Sequence, residues 1–422
     1  MTVSQQTDVT YETILQAREN LRGVLYESPC PESVPLSELT GSSVYCKLDY
    51  LQRTGSFKER GARNALVRLL ERVKAHGEIL TGVVAASAGN HALGVSYHGR
   101  LLGIPVTVVM PVAAPLIKVE TCRRLGATIV LAGDSYPEAR AHALKMAQEL
   151  GLYHVPGFDD VDIVTGQGTM GLEILEQVSN IDAIIVPVGG GGLIAGIAVA
   201  AKAIDPKIKI IGVEPTEAAS FTAALSEGRP VPFALTPTIA DGLAVAQIGD
   251  IPFAIAAPLV EKVVTVTEDE IALAILRLVE LEKGVVEGAA ASTLAALLSG
   301  KLPELKGKRV VLCLCGGNID PSLLCRVIER GLVADGRLCR FTVTISDRPG
   351  GLAEFCRLIA LTGASIREIV HERAFANVHV SSVEVNCVLE TRNHAHVKDV
   401  FDHLTARGVK IMVHPNMEQQ PV

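Results

Sequence analysis

The chain has 422 residues, 48% hydrophobic and 20% charged, enough to bury several layers of core in two or three domains. Thirty-nine basic against 46 acidic residues leave a formal charge of -7, and no Lys/Arg cluster tracks a phosphate backbone, so no nucleic-acid partner is expected. Residues 1–10 are polar and unlike a secretory signal, and no apolar run is long enough to span a bilayer, so a cytoplasmic location without a membrane partner is expected. Nine cysteines without a Cys-x-x-Cys argue against disulfides and structural zinc.

From Val44 onward, short β-branched runs alternate with amphipathic segments, the pattern of a parallel sheet covered on both faces. Strands are expected at 82–86, 106–110, 127–131, 183–188, 208–214 and 309–315, with helices at 115–125, 137–150 and 271–283. Residues 1–330 therefore read as one α/β unit of two lobes, and 331–339 as a linker. Residues 340–415 follow a β-α-β-β-α-β order, with strands at 341–346, 366–373, 380–390 and 409–413 and helices from Gly351 and Ala395; this is the ferredoxin-like arrangement.

Four motifs lie at expected strand ends. Ser56-Phe57-Lys58-Glu59-Arg60-Gly61 opens a helix and can turn Lys58 into a cleft, although a lone lysine is ordinarily just solvated. In Ala86-Ser87-Ala88-Gly89-Asn90-His91, backbone donors and the Asn90 amide face the sheet edge where α/β folds bind ligands. An N-cap role for Ser87 and a structural role for His91 are the competing readings.

Gly189-Gly190-Gly191-Gly192-Leu193 follows a strand and precedes a helix, as a phosphate cradle does. The same loop satisfies a dinucleotide fingerprint, with Glu214 placed as a ribose-binding acid, and alone it favours a nicotinamide cofactor. Cys315-Gly316-Gly317-Asn318 adds a second glycine turn, where Cys315 is either a small polar group or a core thiol.

Together, in order over roughly the first 330 residues, these motifs resemble the fold-type II pyridoxal-phosphate enzymes, most closely the threonine dehydratases (threonine ammonia-lyases), with serine racemases as near relatives. The resemblance implies that Lys58 bonds the cofactor aldehyde and removes the substrate α proton. It also places Phe57 near the ring, Asn90 at the ring hydroxyl, residues 189–193 at the phosphate and Cys315 at the pyridine nitrogen. Ser87, Ala88, Gly89, Asn90 and His91 match the loop around the substrate carboxylate. Glu287 matches a glutamate near the ring, or is simply a helix N-terminal acid.

Glu214, Ala218 and Ser220 match a cation site in which serine replaces a frequent aspartate, which favours a monovalent ion over a divalent one, or none. Asp347-Arg348-Pro349-Gly350-Gly351-Leu352 and Gly363-Ala364-Ser365-Ile366 resemble an ACT domain, implying an amino-acid or nucleotide effector and a homo-oligomer, dimer or tetramer. A domain that only dimerises is the alternative.

The implied reaction converts L-threonine to 2-oxobutanoate and ammonia, with L-serine giving pyruvate, in isoleucine synthesis or threonine breakdown. The competing readings are a racemase or β-replacement enzyme on the same scaffold, a non-catalytic amino-acid sensor, and a nicotinamide dehydrogenase. The last leaves Lys58, Asn90 and the Cys315 turn without a role. Ala88 separates elimination from racemisation: racemases resembling this chain carry serine there to reprotonate the α-carbon on the second face, and alanine has no proton to give.

Overall fold

A computed structural model describes residues 9–373, 379 and 381–413. In chain order its strands are β1 (Ser43–Lys47), β2 (Val83–Ala86), β3 (Val106–Met110), β4 (Thr128–Leu131), β5 (Tyr153–His154), β6 (Ala183–Pro187), β7 (Lys209–Pro215), β8 (Lys262–Val266), β9 (Arg309–Cys313), β10 (Leu338–Ser346), β11 (Ser365–Glu372), β12 (Ser382–Glu390) and β13 (Lys410–Val413). β6 is buried at every position, as a strand covered on both faces must be, and its continuous apolar run follows from that.

The chain divides into two compact units, 1–320 and 321–422. The first holds two wholly parallel sheets, β1-β9-β6-β7-β8 and β4-β3-β2-β5, which form the two lobes. Helix Val161–Gln177 packs on both the Lys58–Ala75 and Gly192–Ile204 helices. The approach is close enough that a Cβ on Gly166 would stand 2.7 Å from the Arg60 carbonyl oxygen and from Gly61 Cα. The lysine-bearing and glycine-loop helices are thereby held against one common support.

In the second unit β11-β12-β10-β13 is an antiparallel sheet with helices Gly351–Ala360 and His394–Thr405, the expected ferredoxin-like order. Val383, Val385, Cys387 and Leu389 alternate inward along β12 to meet Phe341 and Val343 of β10. The boundary differs from the sequence reading. Residues 331–334 finish helix Pro321–Ala334 and 338–339 begin β10, so little of 331–339 is linker and the division falls at 320/321. The helix carries its own amphipathic stripe, which the glycines in that stretch obscured. Val380, expected in β12, and residues 414–415 lie outside the described residues.

Candidate active site

β9 ends at Cys313, two residues before the expected end, because the chain there leaves the ladder for a different partner. The Phe57 N–H donates to the Cys315 carbonyl (2.9 Å) and the Gly317 N–H to the Gly55 carbonyl (2.9 Å), around an antiparallel bridge between Ser56 and Gly316. This pairing sets the first residue of helix Lys58–Ala75 beside Cys315. Two residues on, the fully buried Arg60 anchors the helix through Asp49 (2.7 and 2.8 Å) and Glu173 (2.6 and 2.7 Å). Breaking such a pair strands a buried charge, which costs about 3–5 kcal/mol.

Lys58 Nζ donates to the Gly157 carbonyl (2.8 Å) and lies 5.2 Å from the Phe57 ring centroid. Burial, which penalises the ammonium form, brings its pKa down to about 8, against the opposing pull of Glu287. Glu287 is moved the other way, up to about 7, again chiefly by burial. Asn90, the first residue of helix Asn90–Leu102, donates from Nδ2 to both Glu287 oxygens (2.8 and 3.1 Å). A Cβ on Gly316 would come closer than 3.0 Å to the Glu287 carboxylate, so only glycine admits that side chain.

The glycine loop caps helix Gly192–Ile204, with Gly191 at φ +85°, and its first-turn N–H groups have no intrahelical acceptor. Gly190 lies directly under the Phe158 ring: a Cβ there would be closer than 3.0 Å to its atoms. Phe57, Lys58, Asn90, residues 189–193, Glu287 and Cys315 all line one cavity of about 100 Å³. The structure thus brings together every residue expected at the cofactor. Burial holds the Cys315 thiol well above its usual pKa, so it stands there neutral.

The substrate-loop residues divide. Asn90 lines this cavity, whereas Ser87 Oγ accepts from the Gly89 N–H (3.1 Å) and Ala88 packs on the core of the smaller lobe. The buried His91 ring faces inward, Nε2 to the Val155 carbonyl (3.0 Å), and burial lowers its pKa to about 3. It is neutral, with Nε2 as the donor because a carbonyl can only accept. This accords with the structural reading of His91.

Glu214, expected at a cation site, is engaged in hydrogen bonds within the protein. Its carboxylate accepts from the N–H groups of Phe221 (2.7 Å) and Thr222 (2.9 Å) and from the Thr222 hydroxyl (2.7 Å). It serves as an acceptor at the start of helix Ser220–Glu227; Ala218 is buried beside it and Ser220 Oγ is buried without a hydrogen-bond partner. Among the described residues no group of three His, Cys, Asp or Glu side chains could hold a metal.

Gly157, Phe158 and Asn318 escaped assignment from sequence. The first two follow the two-residue strand β5, too short to leave a periodic signal, and Asn318 stood inside a quoted motif without a role.

A lysine of lowered basicity, a glycine cradle at a helix N-terminus and a neutral thiol, all at the C-terminal ends of parallel strands, are the parts of a pyridoxal-phosphate site of fold type II. The cradle fits a phosphate in that its four glycines line the cavity without side chains and lead directly into a helix N-terminus whose N–H groups have no intrahelical acceptor. Residues 21–316 match the family model described as pyridoxal-phosphate dependent enzyme, and the chain belongs to that family. It is 41% identical over 405 residues to an L-threonine ammonia-lyase of Thermotoga maritima, covering 96% of this chain and 99% of the relative. Among solved structures, threonine deaminase isoform 2 of Solanum lycopersicum matches with TM-score 0.72 and 38% identity, covering 78% of this chain and 89% of that one. The serine racemase of Dictyostelium discoideum matches with TM-score 0.69 and 35% identity, covering 75% and 100%.

Proposed function

We propose that the chain is a threonine ammonia-lyase that converts L-threonine to 2-oxobutanoate and ammonia, and L-serine more slowly to pyruvate. The observation that carries this reading is Lys58, of lowered basicity, in one cavity with the glycine loop and a neutral Cys315. The extent of similarity to a named L-threonine ammonia-lyase, through both units, supports the choice of substrate.

Bound pyridoxal phosphate would supply a sink for the electron pair left on the substrate α-carbon. Residues 189–193 would hold its phosphate, Asn90 its ring hydroxyl and Cys315 its ring nitrogen. Lys58 Nζ takes the α proton; its pKa of about 8 makes the neutral amine accessible near physiological pH. Cys315 offers no negative charge to keep a ring nitrogen protonated, so the sink is weak, which suits loss of a β-hydroxyl over long-lived carbanion chemistry. The backbone of residues 87–91 orients the substrate carboxylate, with the neutral His91 ring fastening that loop to Val155.

The second unit is an ACT-like regulatory domain that takes an amino-acid or nucleotide effector, in a homo-oligomeric, cytoplasmic enzyme. Its ferredoxin-like order supports the first part, and the nine free cysteines support a reducing compartment. No helix among the described residues is long and apolar enough to cross a membrane. The test is product analysis with L-threonine and L-serine, with and without candidate effectors. Release of 2-oxobutanoate is expected; a racemised or β-substituted product without oxo acid would overturn the reading.

A further inference from the structure

An asparagine amide is symmetric in shape, and only its neighbours decide which end is oxygen and which nitrogen. Asn90 needs its nitrogen toward the cavity if it is to donate to a cofactor hydroxyl oxygen. Glu287 cannot enforce this, because a carboxyl group that titrates near pH 7 accepts in one form and can donate in the other. The orientation must come from a group that does not titrate.

The Thr54 carbonyl is such a group. Asn318 Nδ2 donates to it at 2.7 Å, which settles the Asn318 amide because a carbonyl only accepts. The second hydrogen of the same Nδ2 donates to Asn90 Oδ1 at 2.8 Å, and this turns Asn90 Nδ2 toward Glu287 and the cavity. Thr54 is itself held, since its N–H donates to the buried Glu59, whose other oxygen meets His98 Nε2 at 3.2 Å. Gly55, at φ +77°, leaves room for Asn318: a Cβ there would be closer than 3.0 Å to Asn318 Oδ1.

We propose that Asn318 is a positioning residue that locks the Asn90 amide with its N–H end facing the cofactor cavity, by copying the polarity of the Thr54 carbonyl. It also ties the lobes, because Asn90 follows β2 of the four-stranded sheet, whereas Asn318 follows β9 of the five-stranded one. The proposal rests on the pyridoxal-phosphate reading of this cavity.

Asn318→Asp keeps the shape but puts an acceptor against both the Thr54 carbonyl and Asn90 Oδ1. Asn318→Ala simply removes the link. Cofactor dissociation constants, measured by titrating resolved apoenzyme with pyridoxal phosphate, and the position of the visible band are compared for wild type, both variants, Asn90→Ala and each double variant. Asn318→Asp is expected to weaken cofactor binding about tenfold and Asn318→Ala about fivefold, with a shifted band. In the Asn90→Ala background both effects should shrink to less than about twofold, since Asn318 then has no amide to orient. Multiplying losses, or an unshifted band, would reduce Asn318 to a structural residue and overturn the proposal while leaving the cofactor reading intact. A wild-type protein that takes up no cofactor would overturn both.

Discussion

Replacing Gly190 by alanine tests whether the glycine loop is shaped for a phosphate or is only a turn. The added methyl would lie closer than 3.0 Å to the Phe158 ring, whereas carbon atoms settle at about 3.5–4.0 Å. The ring must therefore retreat by more than about half an ångström, against a loop that already packs closely. Forced overpacking of this kind costs about 1–3 kcal/mol. If that strain is released mainly by distorting the cradle, cofactor affinity falls by roughly five- to 150-fold. Gly192→Ala makes an internal comparison, because its methyl meets nothing nearer than the Phe158 carbonyl oxygen at 3.2 Å and should do far less. Titration of the apoenzymes with pyridoxal phosphate reads both, and Phe158→Ala in the Gly190→Ala background should recover most of the loss. Wild-type affinity in Gly190→Ala, or no recovery on removing the ring, would refute the reasoning.

Lys58→Ala should fold and lose turnover, and in wild-type apoenzyme the rate of cofactor capture should rise with pH and level off above about 8, where the amine is neutral; a rise continuing to pH 10 would contradict the lowered pKa. The His91 pKa is depressed from 6.5 to about 3, so its neutral ring contributes stability that is present above pH 6.5 and lost as pH falls. At pH 5 the loss from this ring is about 2 kcal/mol, and His91→Gln should remove that part of the acid sensitivity in urea unfolding; an unchanged pH dependence would disprove it. Truncation after Asp320 should preserve turnover and abolish any effector response, measured as 2-oxobutanoate release with and without amino acids. Wild type should make pyruvate but no D-serine from L-serine, and Ala88→Ser should begin to make D-serine; D-serine from wild type would mean that another group, such as the Ser87 hydroxyl, supplies the second face.

Where a strand was buried on both faces, its apolar run could be read within a residue or two, as with β3 and β6. The ends were less legible because they depend on partners distant in sequence: Cys315 leaves β9 to pair with residues near Phe57. The nine residues expected at the cofactor sit on short motifs whose glycines and polar groups have few purely structural reasons to recur together, and they meet in one cavity. Hidden from sequence were the contacts made by side chains from unrelated segments. Nothing in the run around Arg60 announces that Asp49 and Glu173 will close on it, nor does Asn318 announce Thr54 and Asn90. The partners of Glu214 were hidden for the same reason, since two of them are backbone N–H groups that carry no sequence signature.

The charge balance of the cavity connects these observations. Lys58 and Glu287 are its two shifted acid–base groups of opposite sign, and burial moves both toward neutrality, to about 8 and about 7. Both groups can therefore change charge near neutral pH, and Cys315 adds none. Among the described residues no arginine lines the cavity, so a phosphate there would be held by backbone N–H groups and the helix end, partial charges that neither titrate nor move. Such a site can fix an anionic cofactor while leaving its one lysine free to gain and lose a proton. A strong fixed cation beside the phosphate would favour binding but hold Lys58 further toward its neutral form, and an aspartate in place of Cys315 would push it back toward ammonium. Burial lowers the Lys58 pKa to about 8 while Glu287 opposes that shift, which leaves the amine close to working pH, the condition an α-proton base has to meet.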